Sequence, residues 1–561
     1  MSTQSKVNHP STKPNFQAYN KDESREGSPP MASRRSLLLY PAVVGICSVL
    51  GGLYGPGVTG VAAASEDDVS QTLKTFTKVY TLVEGNFADK VTSDKGIYKG
   101  AVTGMLRTLD PHSSFFDPKD YNNLREDQKG HYYGVGMQVA ERNHQVVVIA
   151  PFLGSPAYKA GLRPGDTILE VNDKRTTNMS VSEVAELLKG PKGTSVQVIA
   201  GREGSEKSLT FNITRDEIPR KSVQDAFFVK PGILHLDIES FNENTSREVE
   251  DNMKRVGEQN VKGLILDLRE NPGGLLNEGV AIAGRFLQNG QVVVSHRGRA
   301  SAEKPYLARN GSPKRDYPIV CLVNRYSASA AEIVSGALQD HDRALILGEN
   351  TFGKGLVQTV FPLAEGTGLA LTTAKYYTPS NRLIQRDYSS SSFLDYYYRK
   401  NVETQNTQDV AMTDSGRKVY GGGGIAPDVK FVPEKLNKFQ IELLRKYTFF
   451  SFTSKFFSAR GDTKLPQAWE LTDQVFNDFH AFLLKEKVDF SEADFAANKD
   501  WAQTSLKREI FLTAFGTEES RKLGVQNDPM ILKAIEVMPK AKQLVETSKK
   551  LIVQRTGGAR D

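Results

Sequence analysis

The chain has 561 residues, which leaves room for three or four domains of about 150 residues each. Its 72 basic and 66 acidic side chains give a formal net charge of +6, and no basic stretch interleaved with aromatic residues occurs, so the composition argues against a nucleic-acid-binding protein. The two cysteines, Cys47 and Cys321, lie in an apolar N-terminal segment and in a predicted buried strand, so we expect no disulfide between them. No Cys/His cluster has the spacing of a zinc site, and we predict neither a metal nor a cofactor.

The N-terminal region predicts a tail followed by a targeting segment. Residues 1–30 are polar and lack apolar periodicity, which predicts a disordered tail. Within residues 31–64, Arg34 and Arg35 precede a long apolar stretch, and Ala64 ends a run of small residues typical of a cleavage site. A signal peptide and an uncleaved membrane anchor both fit this pattern. With either one the rest of the chain is exported, and we expect it in the bacterial periplasm, attached to the inner membrane if the segment is retained.

A small domain is predicted after a helical segment at residues 66–131. Between residues 132 and 216, alternating apolar and polar residues predict short β-strands, and residues 181–188 predict a helix. This pattern resembles a PDZ module, which binds a peptide C-terminus as an added strand and holds its carboxylate on backbone N–H groups. The residues that match the carboxylate-binding loop of such modules are Gly134, Val135, Gly136 and Met137. Arg163, in a later turn, could contact the substrate or the catalytic domain, or could be a solvated surface arginine.

Residues 217–432 are predicted to form an α/β core, and one turn in it offers backbone donors. A buried strand at residues 264–268 leads into the turn Asn271-Pro272-Gly273-Gly274. Glycines leave peptide N–H groups unobstructed, so this turn could stabilise an oxyanion, or it could be an ordinary Pro-Gly turn before a helix. The donors predicted for a two-donor oxyanion hole are Gly273 or Gly274, together with Ala330.

A serine at a strand-to-helix junction is the first candidate for chemistry. The apolar run at residues 317–323 predicts a buried strand, and the segment from Ser329 onward predicts a helix. A hydroxyl at this position lies near a helix N-terminus, which stabilises developing negative charge. The alternative is a helix cap, because Ser329 and Glu332 form the S-x-x-E pattern of a capping box.

Lys354, beside the next apolar segment, favours a catalytic role for Ser329 over a helix cap. Lys354 lies between two glycines, just before an apolar stretch at residues 356–362 that predicts a strand. A lysine acts as a general base only when neutral, and burial away from other charges lowers its pKa from about 10.4 towards 7. Gln358 falls on the same strand face by the period of two, and its amide oxygen could orient the amine without adding charge. Together with Ser329, these residues predict a Ser/Lys hydrolase.

The segment before the lysine also matches the start of a phosphate-binding loop. Residues 348–354 satisfy G-x-x-x-x-G-K, but Gly355 occupies the position where such a loop has Ser or Thr. The segment also leads into a predicted strand and not into the helix that would receive phosphates. We therefore expect no nucleotide site here.

Taken together, these residues resemble the carboxyl-terminal processing peptidases, also called tail-specific proteases. The matching stretches are Leu109-Asp110-Pro111-His112-Ser113, Gly134-Val135-Gly136, residues 161–166, residues 267–274, Ser327-Ala328-Ser329-Ala330 with Glu332, Gly353-Lys354-Gly355 with Gln358, and residues 371–382. The resemblance runs in the family's order from about residue 70 to residue 430, and it implies an α/β catalytic core with an inserted PDZ domain. It further implies that Ser329 is the nucleophile, that Lys354, 25 residues later, is the base, and that Gln358 orients the lysine.

Two stretches depart from the plainest pattern of this family. The insertion between Arg386 and Tyr420 is expected to be a surface excursion. Residues 433–561 carry a helical spacing that predicts a helical C-terminal domain. Such a domain could mediate oligomerisation, bind an adaptor or pack on its own core, and the sequence leaves these alternatives open.

The sequence as a whole predicts a multidomain α/β serine endopeptidase with an inserted PDZ domain and helical N- and C-terminal segments. Its partners would be proteins or peptides with free C-termini, which it would cut near those termini. Two other functions remain open: a catalytically silent PDZ scaffold that binds C-terminal tails, and an acyl-CoA-type hydrolase or isomerase on a related core. The intact Ser329, Lys354 and Gln358 argue against the scaffold, and the binding of a small thioester would give the PDZ module no role.

Overall fold

The computed structural model describes residues 66–557 with the exception of 310, 313, 390–395, 398–405 and 462. The described chain divides into two compact units, residues 66–109 and residues 110–557. The predicted tail at residues 1–30 and the predicted targeting segment at residues 31–64 lie outside the described residues. Within the described ranges, no helix combines the length and the apolar character needed to cross a membrane.

The first unit is helical. It contains α1 (Glu66–Asn86), a π-helical stretch (Asp94–Val102) and α2 (Thr103–Arg107). Threonine hydroxyls along α1 donate to the carbonyl four residues earlier, as at Thr72 and Thr77. The predicted helical character of the N-terminal segment is therefore confirmed in this unit.

A short strand and a helix open the second unit. They are β1 (Ser114–Phe116) and α3 (Pro118–Lys129). Asp117 caps α3 by accepting a hydrogen bond from the Asp120 N–H (2.9 Å), and a proline occupies the first helical position, where no N–H is needed. Gly130, with a φ of 70°, ends the helix in the left-handed conformation that glycine tolerates.

The next domain is a small sheet with two helices. Its strands are β2 (His131–Gly134), β3 (Met137–Arg142), β4 (Gln145–Pro151), β5 (Thr167–Val171), β6 (Lys174–Arg175), β7 (Ser195–Gly201), β8 (Leu209–Thr214) and β9 (Asp216–Pro219). Its helices are α4 (Pro156–Ala160) and α5 (Val181–Leu188). The main sheet has the order β3-β4-β5-β7-β8, so β3 lies at its edge, while β2 pairs with β9 at the two ends of the domain. The predicted strands and the predicted helix are confirmed, and their apolar faces meet in a core that includes Val148, Val184 and Val198.

A largely parallel sheet and a second, antiparallel sheet form the core that follows. The strands are β10 (Val223–Lys230), β11 (Ile233–Ile238), β12 (Gly263–Asp267), β13 (Val292–Gly298), β14 (Ser301–Leu307), β15 (Ile319–Val323), β16 (Leu345–Gly348), β17 (Leu356–Pro362), β18 (Gly368–Tyr377), β19 (Asn406–Met412), β20 (Lys418–Gly421) and β21 (Val429–Lys430). The helices are α6 (Thr245–Val256), α7 (Leu276–Phe286) and α8 (Ala330–Asp340), and two short 3-10 turns are at Glu258–Asn260 and Ala364–Gly366.

The strands of the parallel sheet are almost wholly apolar because both faces of the sheet are covered. Its order is β10-β11-β12-β15-β16-β21, and β10 is its antiparallel member. Every residue of β12 and β15 is buried, as expected for strands of a parallel sheet that is covered on both faces. The carboxyl ends of these two neighbouring strands lead into the glycine turn and into the serine turn, which therefore lie side by side.

The antiparallel sheet carries the other half of the candidate site. Its order is β1-β18-β13-β14, and β17 also pairs with β18. The β17–β18 hairpin places Gln358 opposite Thr372, and β17 begins directly after Lys354 and Gly355. The insertion contributes the separate pair β19–β20.

The C-terminal helices fall into two groups by what they pack against. They are α9 (Lys438–Arg445), α10 (Thr448–Arg460), α11 (Asp473–Lys485), α12 (Glu492–Ala497), α13 (Lys499–Phe515), α14 (Thr517–Gln526) and α15 (Pro529–Gly557). Helices α9 to α13 share an aromatic core in which the rings of Phe449 and Phe479 stack at 5.2 Å. Helix α15 instead covers one face of the parallel sheet, where Ile531 packs in a cluster with Ile265 and Val320. The alternative in which the whole region packs on its own core is therefore wrong for α15.

Candidate active site

Ser329 occupies a strained turn between β15 and α8. Its φ of 58° and ψ of −114° are a conformation that costs a residue with a Cβ about 1–3 kcal/mol, which the surrounding packing must offset. The side chain is 1% exposed, and its Oγ has no hydrogen-bond partner among the described residues. The Ser329 N–H donates to Glu332 Oε2 (2.8 Å), so the capping partner holds the main chain. The hydroxyl itself is not committed to capping the helix.

The neighbouring serine of the motif has a different environment. Ser327 Oγ donates to the Leu268 carbonyl (2.7 Å) and accepts a hydrogen bond from the Asn324 N–H (2.9 Å). Its hydroxyl therefore fastens the turn to the end of β12. Of the two serines, only Ser329 keeps an uncommitted oxygen in the described structure.

Lys354 is buried at the start of β17. The side chain is 2% exposed, and Nζ donates to Gln358 Oε1 (2.9 Å). Burial lowers the pKa of Lys354 to about 8, although the carboxylates of Asp110 and Glu332 act in the opposite direction. The neutral form that a general base requires is therefore far more populated near neutral pH than it is in a solvated lysine.

The amide of Gln358 has one fixed orientation. Its Nε2 donates to the main-chain carbonyl of His112, and a carbonyl can only accept a hydrogen bond. The amide oxygen must therefore point toward Lys354, as the sequence predicts. The structure brings Lys354 and Gln358 together as expected and adds His112, which the sequence analysis missed as a site residue.

A single buried carboxylate joins the serine turn to the lysine turn. Glu332 accepts hydrogen bonds from the N–H groups of Ser329 (2.8 Å), Gly353 (2.7 Å) and Lys354 (2.9 Å), and from the Thr351 hydroxyl (2.5 Å). Its burial raises the pKa of Glu332, and these hydrogen bonds oppose that shift. The S-x-x-E pattern was a sequence signal for this residue, but it suggested only a local cap.

The predicted oxyanion turn packs directly against the serine. A Cβ added to Gly273 would lie 2.7 Å from Ser329 Cβ and 2.9 Å from the Ala330 nitrogen, so only glycine fits there. The Gly273 N–H donates to Asn271 Oδ1 (2.8 Å), so in this conformation that donor is engaged within the turn. At Gly274, with a φ of 142°, an added Cβ would clash with the Phe241 carbonyl. The structure thus brings Gly273 beside Ser329 and Ala330, whereas Gly274 packs against Phe241.

The predicted peptide-binding residues lie together at one end of β3. Val135 and Met137 are buried, and Gly136, with a φ of 77°, approaches Ser155, whose Oγ donates to the Gly136 carbonyl (2.7 Å). Gly134 ends β2, next to this loop. Because β3 is an edge strand, its outer side can accept another strand.

Arg163 lies in a turn of the same domain. Its N–H donates to Asp166 Oδ2 (2.8 Å), which fixes the main chain of the turn. The side chain is half-buried, and in the part of the chain that the structure describes its guanidinium forms neither a hydrogen bond nor an ion pair. The structure does not bring Arg163 into contact with the Ser329 region.

The insertion after Arg386 corrects one expectation. Tyr396 is 4% exposed, and its ring packs edge-to-face on His112 with a centroid distance of 5.4 Å. The prediction of a surface excursion is therefore wrong at this residue. The reason is that the aromatic ring fills space beside the turn at residues 110–113, and insertion length carries no information about such a contact.

Comparisons with known proteins identify the family of this chain. A model described as peptidase family S41 matches residues 232–389, and a PDZ domain model matches residues 148–202. The carboxy-terminal-processing protease of Bartonella bacilliformis is 37% identical over 58% of this chain and 75% of its own length. The carboxy-terminal processing protease CtpA of Bacillus subtilis is 32% identical over 64% of this chain and 78% of its own length. A solved structure of the photosystem II D1 C-terminal processing protease aligns with 72% of this chain and 95% of its own at 27% identity, with a TM-score of 0.35. The chain therefore belongs to peptidase family S41, among the carboxyl-terminal processing proteases, and carries the PDZ domain of that family.

Proposed function

We propose that this protein is a serine endopeptidase that cuts exported proteins near their C-termini, with Ser329 as nucleophile and Lys354 as general base. The observation that carries the proposal is that a buried Ser329 hydroxyl with no hydrogen-bond partner among the described residues and a buried lysine of lowered pKa lie on two turns joined by Glu332. The main-chain N–H groups of both residues donate to the same oxygen of Glu332, which holds the two turns in register.

The proposed reaction uses groups of this chain alone. Neutral Lys354 takes the proton of Ser329 while Oγ attacks the scissile carbonyl, and Gln358 keeps the amine oriented. The N–H of Ala330, at the start of α8, and one N–H of the adjacent glycine turn would stabilise the oxyanion. The protonated lysine then gives its proton to the leaving amine, and a water activated by the same lysine hydrolyses the acyl-enzyme.

Access to this site requires a conformational change. Ser329 and Lys354 are both almost fully buried, so a polypeptide cannot reach them in the described conformation. We infer that a substrate C-terminus binds the loop at residues 134–137 as a strand added to β3, and that this binding favours an open form. Arg163 remains our candidate for reporting occupancy to the catalytic domain, although its side chain has no such contact in this conformation.

A cleavage experiment tests the proposed function. The protein from residue 66 onward is incubated with unfolded proteins that carry apolar C-terminal tails, and the products are identified by mass spectrometry. We expect new fragments with the active protein and none with Ser329→Ala. Binding of tails without any fragment would instead support the silent scaffold, and cell fractionation would test the proposed exported location.

A further inference from the structure

His112 lies at the centre of the candidate site, although the proposed reaction gives it no role. It is buried, and both of its ring nitrogens and its main-chain carbonyl are engaged. The following inference rests on the proposed function, because it concerns how the Lys354 base is kept in place.

The contacts on the Nδ1 side of the ring favour a proton on that nitrogen. The Tyr397 hydroxyl lies 2.9 Å from the Pro111 carbonyl, which can only accept a hydrogen bond. A hydroxyl that gives its single proton to this carbonyl accepts a hydrogen bond from His112 Nδ1, which lies 3.3 Å away. We therefore assign the proton of the ring to Nδ1.

The Nε2 side has the opposite character. Gln385 Oε1 accepts a hydrogen bond from the Gly355 N–H (2.9 Å), so its Nε2 faces the Tyr396 hydroxyl and donates to it (3.0 Å). The Tyr396 hydroxyl therefore donates a hydrogen bond to His112 Nε2, which lies 2.9 Å away. Two tyrosines therefore satisfy the neutral imidazole completely, one as donor and the other as acceptor.

The charges around the ring favour the same neutral state. Burial lowers the pKa of His112 well below its usual value, and the nearby cations of Lys354 and Arg386 act in the same direction. The carboxylate of Asp110 is committed to the N–H groups of His112 (2.7 Å) and Ser113 (2.8 Å) and to the Ser113 hydroxyl. His112 thus adds no positive charge that would repel a protonated Lys354.

The main-chain carbonyl of His112 links the imidazole ring and its two tyrosine partners to Lys354. Its carbonyl accepts the hydrogen bond from Gln358 Nε2 across 246 residues of sequence, and Gln358 in turn accepts from Lys354 Nζ. We propose that His112 is a positioning residue: its neutral ring, held between Tyr396 and Tyr397, fixes the carbonyl that orients Gln358 toward Lys354. The histidine does not touch the reacting atoms.

The proposal predicts a particular kinetic change in His112→Ala. Without the ring, the turn at residue 112 loosens, water reaches Lys354, and the pKa of the lysine rises from about 8 toward its usual value. We expect kcat to fall by about 100-fold with little change in KM, as for a misplacement of a catalytic group by about 1 Å. The acidic limb of the pH-rate profile should move to higher pH, so the loss should be larger at pH 7 than at pH 9.

Three further variants make the test decisive. His112→Gln keeps an acceptor for Tyr396 and should restore part of kcat and of the original limb. His144→Ala removes a fully exposed histidine side chain and should match the wild type. The double variant Tyr396→Phe and Tyr397→Phe keeps the aromatic packing but removes both ring partners, and it should shift the limb in the same direction as His112→Ala.

The outcomes separate this inference from the proposed function. Cleavage by Ser329→Ala at the wild-type rate would refute the proposed function itself. If the wild type is active and the acidic limb stays at the same pH in both His112→Ala and the double tyrosine variant, only the role of His112 is overturned. If His112→Ala does not fold, an unchanged limb in the double variant alone overturns that role, and a shifted limb supports it.

Discussion

A peptide could join the outer edge of β3 without any rearrangement, whereas no peptide could reach Ser329 in the same conformation. The edge strand offers unpaired backbone groups to an incoming chain, but Ser329 and Lys354 are almost fully buried. The two regions belong to one compact unit, so they differ in accessibility within a single arrangement. A substrate C-terminus could therefore bind to β3 before Ser329 becomes exposed.

Contacts between the PDZ domain and the C-terminal helices would have to change if tail binding exposed Ser329. The guanidinium of Arg142, at the end of β3, lies 3.7 Å from the ring centroid of Tyr447, just before α10. Along the same helix, Ser458 Oγ donates to the Glu203 carbonyl (3.2 Å). The C-terminal helices therefore hold the PDZ domain in the described position.

Removal of either member of the catalytic pair should have the largest effect. We expect Ser329→Ala and Lys354→Ala each to reduce cleavage by about 10⁴-fold or more, and the double variant to be no worse, because both residues act in one step. Ser327→Ala removes two local hydrogen bonds and should mainly cost about 1–2 kcal/mol of unfolding free energy. Cleavage rates and urea unfolding would be measured together, and a dead Ser327→Ala beside an active Ser329→Ala would reverse our assignment.

Deletion of the PDZ domain would test whether the open edge controls the closed site. Tyr132 and Ile218 are paired across β2 and β9, so removal of residues 133–214 leaves chain ends that a short linker can join. If tail binding opens the site, the deletion should lower cleavage of short peptides and long unfolded proteins alike by about 100-fold. Equal rates with and without the domain would refute gating. Loss confined to long substrates would indicate recruitment alone.

The pH dependence should report the buried lysine directly. Only the neutral amine accepts the serine proton, so kcat/KM should rise about tenfold per pH unit below the pKa of Lys354, about 8, and level off above it. Lys354→Arg keeps the positive charge but cannot release a proton, so it should be inactive at every pH. A limb centred near pH 6 in the wild type would contradict the assignment of Lys354 as base.

Loss of the contact between Arg142 and Tyr447 should have the smallest effect. Arg142→Ala removes a contact worth about 1 kcal/mol, which would shift a closed population toward the open form by about fivefold. We expect a matching rise in the basal rate on short peptides. Arg175→Ala, at an exposed position of β6, is the control, and equal rates in the two variants would show that the Tyr447 contact does not restrain opening.

The positions of the proposed catalytic residues were predictable because their signals are local. Ser329 lies between a strand and a helix, and Lys354 and Gln358 are four residues apart at the start of a strand. The support of His112 was not predictable, because it acts through a main-chain carbonyl and through a tyrosine in an insertion, and neither contact depends on a recognisable spacing. Likewise, the helical pattern of α15 predicts an apolar face but does not say which surface will cover it.

The position of α15 has a consequence for the synthesis of the protein. Strand β15 of the parallel sheet, which leads into the serine turn, ends at residue 323, whereas the residues that cover this face extend to Ala541. At about 5–20 residues per second, translation leaves the apolar face of the sheet uncovered for on the order of 10–40 s. During that time Ile265 and Val320 lack the cover that α15 provides in the folded protein.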